Sequence, residues 1–215
     1  MNEFDLIRDY FTWPIKDSSV TLAVGDDAAL FSLDHGYELV TTTDTLVEGV
    51  HFSATTSAKD IAHKSLVVNL SDIAAMGAKA KYFTLALSIP KIDKSWLQDF
   101  SDSLKHLSEQ YEVSLVGGDT TRGPLNITIT MIGMVERSKA LTRSGARPGD
   151  GIYVSGTIGD AGFCFWKLSN DLVPSNQELK RLNCPTPRVD LGLVLTGLAS
   201  ACIDLSNGLE QDLSH

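Results

Sequence analysis

Carboxylates recur in this chain beside small residues and hydroxyls, at places where apolar runs end. Asp26-Asp27 follow Val20 to Gly25, Asp44 follows Thr41-Thr42-Thr43, Asp119 follows Gly117-Gly118, and Asp204 precedes Leu205-Ser206. Asp72 differs, because it comes from an apolar helical stretch and is followed by Ile73, Ala74 and Ala75. Each alone reads as a turn aspartate. Gathered in space they would repel one another and raise their pKa values. Divalent cations remove that conflict. Oxygen donors without a CxxC pair or paired histidines select magnesium or manganese over zinc.

Other residues invite chemistry less directly. Gly117-Gly118-Asp119-Thr120-Thr121 lacks the spacing and the lysine of a Walker A loop, and no GxGxxG follows a strand. Its glycines still let backbone amides approach a phosphate. His51 follows the threonine-rich stretch and is either a structural histidine or a contact to phosphate or substrate. Arg143, in Leu141-Thr142-Arg143-Ser144-Gly145, is either solvated or a bidentate phosphate clamp. His35, His63, His106 and His215 have no supporting context.

Regular elements must position these groups. Helices are expected at Phe4–Phe11 and at Ser57–Met76, the latter apolar nearly all round, buried and closed by Gly77. A third starts from an Asp93 or Ser95 cap and carries Trp96, Phe100, Leu104, Leu107 and Tyr111 on one face. Strands are expected at Val20–Val24, from Leu39 into the threonines, and at Tyr82–Ile89, Val113–Val116 and Asn126–Val135. Polar residues from Ser138 to Gly149 mark a boundary, giving domains 1–137 and 138–215. The second is read as αβ: a strand at Gly151–Ser155, helices at Ile158–Leu168, near Glu178 and at Val189–Leu198, and a strand at Ala199–Leu205. An αβ domain that stops at His215 is short of strands, which reads as truncation.

Composition sets outer limits. A chain of 215 residues with 43% hydrophobic content supports a full core without disulfides. A net charge of −9 disfavours nucleic acid and anionic membranes, and admits anionic substrates only where cations bridge them. Cys164, Cys184 and Cys202 form no motif and suit a reducing cytosol. The acidic start, Met1-Asn2-Glu3-Phe4-Asp5, does not resemble a signal peptide, and no apolar run approaches a membrane span. The expected compartment is the cytoplasm.

A set of motifs then narrows the reading. Val24-Gly25-Asp26-Asp27-Ala28-Ala29, Thr42-Thr43-Asp44-Thr45-Leu46-Val47-Glu48-Gly49-Val50-His51-Phe52, Asn69-Leu70-Ser71-Asp72-Ile73-Ala74-Ala75-Met76-Gly77-Ala78, Gly117-Gly118-Asp119-Thr120, Arg147-Pro148-Gly149-Asp150 and Ile203-Asp204-Leu205-Ser206 occur in that order. Together they resemble the thiamine-monophosphate kinase family. The first two alone would mark only its superfamily, which includes aminoimidazole ribonucleotide synthetase, selenophosphate synthetase and a hydrogenase maturation factor.

The resemblance implies a two-domain α+β protein whose N-terminal domain pairs its sheet across a homodimer. It implies ATP in a cleft between the domains, held through several magnesium ions, with thiamine monophosphate nearby and thiamine diphosphate as product. By the same resemblance, Asp27, Thr42, Thr43, Asp44, Asp72, Asp119 and Asp204 are magnesium ligands. Gly118, Asp119, Arg143 and Ser206 contact ATP, and His51 contacts the substrate. Asp44, Asp72, Asp119 and Arg143 carry the catalysis. Asn207 stands where the family usually has aspartate, which weakens one metal position. The family is also longer, so part of its thiamine pocket is expected beyond His215. The alternatives are a sister enzyme of the superfamily or an inactive relative that binds metal and nucleotide.

Overall fold

Alternation along the chain decides the central sheet. The structure is a computed structural model of the chain, described here for residues 3–24, 28–32 and 35–215. Asp26 and Asp27 lie outside the described residues. In order, the elements are α1 (Glu3–Phe11), β1 (Val20–Leu22), β2 (Leu30–Phe31), β3 (Tyr37–Val47), α2 (Ala58–Ala75), β4 (Lys79–Ile89), α3 (Lys94–Gln110), β5 (Ser114–Arg122) and β6 (Asn126–Glu136). A 3-10 turn at Arg143–Gly145, α4 (Asp160–Ser169), α5 (Asn176–Asn183), α6 (Val189–Leu195) and α7 (Leu209–Leu213) follow.

β3, β6, β4 and β5 form one sheet in that spatial order, and β1 pairs with β2 in a small ribbon. β6 runs antiparallel to both its neighbours, while β4 and β5 are parallel, joined by the crossover helix α3. Ile127, Ile129 and Met131 of β6 and Phe83, Leu85 and Leu87 of β4 point into the core under the helices. Thr128 and Thr130 point the other way and meet Thr45 and Thr43 of β3 through hydroxyl contacts of 2.8 and 2.9 Å. Among the described residues, no helix covers this second face, and Thr41, Thr43, Thr45 and Ala86 are exposed on it.

α2 is the central helix of the core. Ser57 caps it, its hydroxyl accepting from the Asp60 N–H at 3.1 Å. Ile61, Leu66, Val67, Leu70 and Ile73 are buried on several sides, as an apolar helix without a polar face requires. Asp93 caps α3 by accepting from the N–H groups of Ser95 and Trp96. Leu97, Phe100, Leu104 and Leu107 form the buried stripe of that helix. Trp96 is only partly buried and stacks on Phe100, with ring centres 5.0 Å apart.

Two expected strands do not form. Residues 151–155 and 199–205 have no strand pairing, and Ile152 and Tyr153 are largely exposed. A strand needs a neighbour for its backbone groups. Residues 138–215 supply none, so this part is helical rather than αβ. One backbone bond, from the Cys202 N–H to the Thr142 carbonyl at 3.1 Å, is the remnant of strand-like pairing there. The segment docks along α2 instead. The Leu141 N–H bonds the Met76 carbonyl, Thr196 Oγ1 donates to the Gly77 carbonyl at 3.2 Å, and Cys184 Sγ donates to Asp60 Oδ1 at 3.1 Å. Among the described residues, no helix is long and apolar enough to cross a membrane.

Candidate functional site

β3 does not stop before its threonines; it runs through them to Val47. Period-two alternation then divides the stretch between faces. Thr42, Asp44 and Leu46 turn towards α2, whereas Thr43 and Thr45 turn to the open face. Thr42 Oγ1 donates to Asp72 Oδ2 at 2.6 Å, a charge-assisted bond that ties the strand to the last turn of α2. The C-terminal dipole of α2 opposes a carboxylate at that position.

Asp44 and Asp204 converge on Asp72. Burial, and then the charge of Asp72, pushes the Asp44 carboxyl up, while nearby His51 works against the shift. Asp204 is pushed up to about 6, first by burial and then by the charges of Asp72 and Asp212. A hydrogen bond from Ser71 and the charge of Arg143 pull it back. Three carboxylates, two hydroxyls and one guanidinium therefore lie within electrostatic reach of one another in a half-buried region of negative potential. Oxygen donors of this kind fit a hard divalent cation. Among the described residues, no three carboxylate, imidazole or thiol side chains stand close enough to hold one ion by themselves.

Local packing explains how distant residues reach this place. Gly145 lies so close to Ser200 that a Cβ there would stand 1.6 Å from the Ser200 carbonyl oxygen. That approach, with the Cys202–Thr142 bond, lays residues 142–145 beside 200–204 and brings Arg143 to Asp204. His51 sits in the turn after β3. Its Nδ1 accepts from the Val47 N–H at 3.0 Å, so the neutral ring carries its proton on Nε2. Lys64 Nζ holds the same turn by donating to the His51 carbonyl at 2.8 Å.

Gly118 and Asp119 lie elsewhere. They stand on β5 at the far edge of the sheet, and Gly118 is in register with Leu85, Ile129 and Asp44. Three strand spacings, about 14 Å, separate that edge from β3. Asp119 shares its register row with Ala86, Thr128 and Thr45, and is exposed on the open face with Thr43. One chain thus unites Thr42, Asp44, Asp72, Arg143 and Asp204, but does not bring Thr43, Gly118 or Asp119 to them.

Ser206 and Asn207 follow Asp204 in a turn fastened to Asp212. The sequence drew attention to neither Asp212 nor Ser71. Asp212 looks like a surface acid in a short helix, and only its burial marks it. Ser71 carries a weak signal, adjacency to Asp72. The Asn69 side-chain oxygen, three residues before Asp72, is buried without a hydrogen-bond partner.

Residues 25–135 match the family of AIR synthase related proteins, N-terminal domain. The thiamine-monophosphate kinase of Haemophilus influenzae is 50% identical over 220 residues, spanning 100% of this chain and 67% of that protein. The thiamine-monophosphate kinase of Escherichia coli K12 is 47% identical, over 99% of this chain and 67% of the relative. The crystal structure of thiamine-monophosphate kinase from Stenotrophomonas maltophilia superposes with a TM-score of 0.88 at 43% identity, covering 97% of this chain and 68% of that one. A ThiL structure complexed with AMPPCP and TMP superposes with a TM-score of 0.77 at 30% identity, covering 97% and 66%. The chain spans about two thirds of the length of these proteins. With the carboxylates around Asp72 in place, these likenesses show that the chain belongs to the thiamine-monophosphate kinase family.

Proposed function

We propose that the protein transfers the γ-phosphoryl group of ATP to thiamine monophosphate, giving thiamine diphosphate and ADP. The observation that carries this reading is the convergence of Thr42, Asp44, Asp72, Asp204 and Arg143 in a chain half identical to a thiamine-monophosphate kinase. The ThiL structure with AMPPCP and TMP supports both substrates.

A phosphate oxygen of thiamine monophosphate attacks the γ-phosphorus in line. The new P–O bond forms as the bond to the β-phosphate oxygen breaks, and the electron pair leaves with ADP. The attacking oxygen is already ionised near neutrality, because the second phosphate pKa is about 6, so no general base is required. The obstacle is mutual repulsion of two anions beside an acidic wall. Magnesium, when bound, supplies the opposing positive charge. Thr42, Asp44, Asp72 and Asp204 would serve several separate ions rather than one, with Asp27, Thr43 and Asp119 as further ligands. Arg143 adds a guanidinium for phosphate oxygens. The His51 Nε2–H is available to the substrate.

The open face that carries Asp119 and Thr43 suits pairing with a second copy of the chain. The open face carries matched hydroxyl rows, Thr43 with Thr130 and Thr45 with Thr128. A two-fold axis between two such faces and parallel to the strands sets β5 of one copy over β3 of the other. Asp119, in the row of Thr45, then arrives beside the partner's Thr43–Thr45 segment. A homodimer therefore brings Asp119 of one copy to β3 of the other, across that strand from Asp44 and Asp72. The division into units 1–137 and 138–215 is proposed with it, as is a cytoplasmic setting, which three free thiols suit.

ADP release from ATP is the test, measured with and without thiamine monophosphate in magnesium. Substrate-dependent ADP that disappears in Asp44→Asn is the expected result. Equal rates in Asp44→Asn and the parent protein would overturn the assignment.

A further inference from the structure

We infer that Lys64 is a positioning residue for the substrate side of the site: its ammonium clamps the turn at 48–52 to α2 and so fixes where the His51 ring stands. Lys64 lies in the second turn of α2, and Asp60, one helical turn earlier, is the ion-pair partner its spacing offers. That carboxylate is engaged elsewhere, because its Oδ1 accepts from the Cys184 thiol at 3.1 Å. The thiol stays protonated, since burial and then the bond to Asp60 push Cys184 up to about 12. The groups that sense the Lys64 charge are the thiols of Cys164 and Cys184. Lys64 Nζ donates instead to the main-chain carbonyl of His51, at 2.8 Å.

A half-buried ammonium set against a carbonyl is an unfavourable choice for stability alone, and burial lowers the Lys64 pKa. With little water to compete, the bond it makes is strong and directional. The turn is otherwise wound on itself. The Gly49 N–H donates to the Phe52 carbonyl at 2.8 Å, the His51 N–H to the Val47 carbonyl at 2.9 Å, and the Val47 N–H to His51 Nδ1 at 3.0 Å. These bonds set the shape of the turn. Buried Phe52 seats one end of it in the core, and Lys64 holds the His51 end to α2. Nδ1 is taken by Val47, so the Nε2–H is the part of the ring left for a ligand. The same helix carries Asp72, eight residues on and about 12 Å along the axis. α2 therefore spaces the histidine against the carboxylates, and His51 already acts on Asp44. This rests on the kinase reading for the identity of the substrate, whereas the clamp rests on the distances alone.

The experiment reads clamp and substrate separately, on the full chain. Lys64→Met keeps the apolar stem and the helix but removes the ammonium. Without any substrate, hydrogen exchange at the Val47, Gly49 and His51 amides should become faster by about tenfold. KM for thiamine monophosphate should rise about tenfold, with KM for ATP and kcat changed by less than about threefold, the scale of one lost charge-assisted hydrogen bond. His51→Ala should raise the same KM, and Lys64→Met added to it should raise it no further, because the two act through one ring. Lys64→Gln, which loses the charge and one bond of reach, covers the case in which Lys64→Met fails to fold and should behave as it does. Unchanged exchange overturns the clamp. Faster exchange with an unchanged KM for thiamine monophosphate overturns the link to substrate, and so does an equal rise in KM for ATP, the mark of a general structural loss. Effects of Lys64→Met and His51→Ala that multiply overturn the route through His51. A parent protein inactive towards ATP and thiamine monophosphate overturns the kinase reading and the substrate role with it, while the exchange results still decide the clamp.

Discussion

Thr42 Oγ1 and Asp72 Oδ2 lie 2.6 Å apart, and this bond joins an edge strand to the last turn of the buried helix α2. It orients one carboxylate oxygen of Asp72, whose charge both the Asp44 and Asp204 carboxyls sense.

Replacing Asp72 with asparagine should separate stability from activity. One of three mutually repelling carboxylates becomes neutral, so the melting temperature in EDTA should hold or rise. Phosphoryl transfer should fall about a hundredfold or more, because positioned charge carries most of such catalysis. The magnesium-induced rise in melting temperature should vanish. Thermal melts with EDTA and with magnesium, beside the ADP assay, check this. Thr42→Val should cost about 1.5 kcal/mol of stability, the value of a hydrogen bond to a charged group.

A second prediction concerns acid. Burial alone would raise the Asp17 carboxyl, but hydrogen bonds from Ser19 and Lys81 outweigh it and hold the group down at about 2. Lys81 Nζ lies 2.9 Å from Asp17 Oδ2 and ties the segment before β1 to β4. The folded pKa is below the unfolded value, so the contribution is complete above about pH 4 and disappears as pH falls through about 2. It amounts to about 2 kcal/mol. Asp17→Asn should be less stable than the parent at neutral pH by that amount. The two denaturation curves should converge near pH 2; parallel curves at all pH values would refute the linkage.

Gly118 should tolerate no side chain. Its φ is +151, and a Cβ would stand 1.9 Å from the Leu85 carbonyl oxygen on β4. Gly118→Ala should destabilise by about 3 kcal/mol, since backbone rather than a flexible side chain must move. Urea unfolding measures it. A loss below 0.5 kcal/mol would mean that β5 peels from β4 at little cost.

The open sheet face supplies a fourth test. Thr130→Lys puts a long cation among the exposed threonines without touching the core side of β6. Sedimentation should show a dimer for the parent protein and a monomer for the variant. ATP-dependent transfer should fall with dissociation, because Asp119 stands at the edge of the sheet remote from Asp44. A fully active monomer would exclude the shared site.

Much of the molecule follows from local pattern. The apolar stretch of Ile61 to Ile73 forms a buried helix because no face of it is fit for water, and Ser57 and Asp93 start helices by capping free N–H groups. Alternation at Asn126–Val135 needs only the period of two. The carboxylates at 44, 72, 119 and 204 are legible as types suited to cations, but composition and spacing cannot say which of them meet. Tertiary structure decided that. Side-chain alternation sends Thr42 and Asp44 towards Asp72 but turns Thr43 away, and the crossover through α3 carries Asp119 to the opposite edge. The runs at 151–155 and 199–205 look like strands, yet a strand exists only where a neighbour takes its backbone hydrogen bonds, and partner strands are a property of the fold. Asp212 was invisible for the same reason: burial and three converging donors, not its place in the chain, make it the anchor of the turn after Asp204.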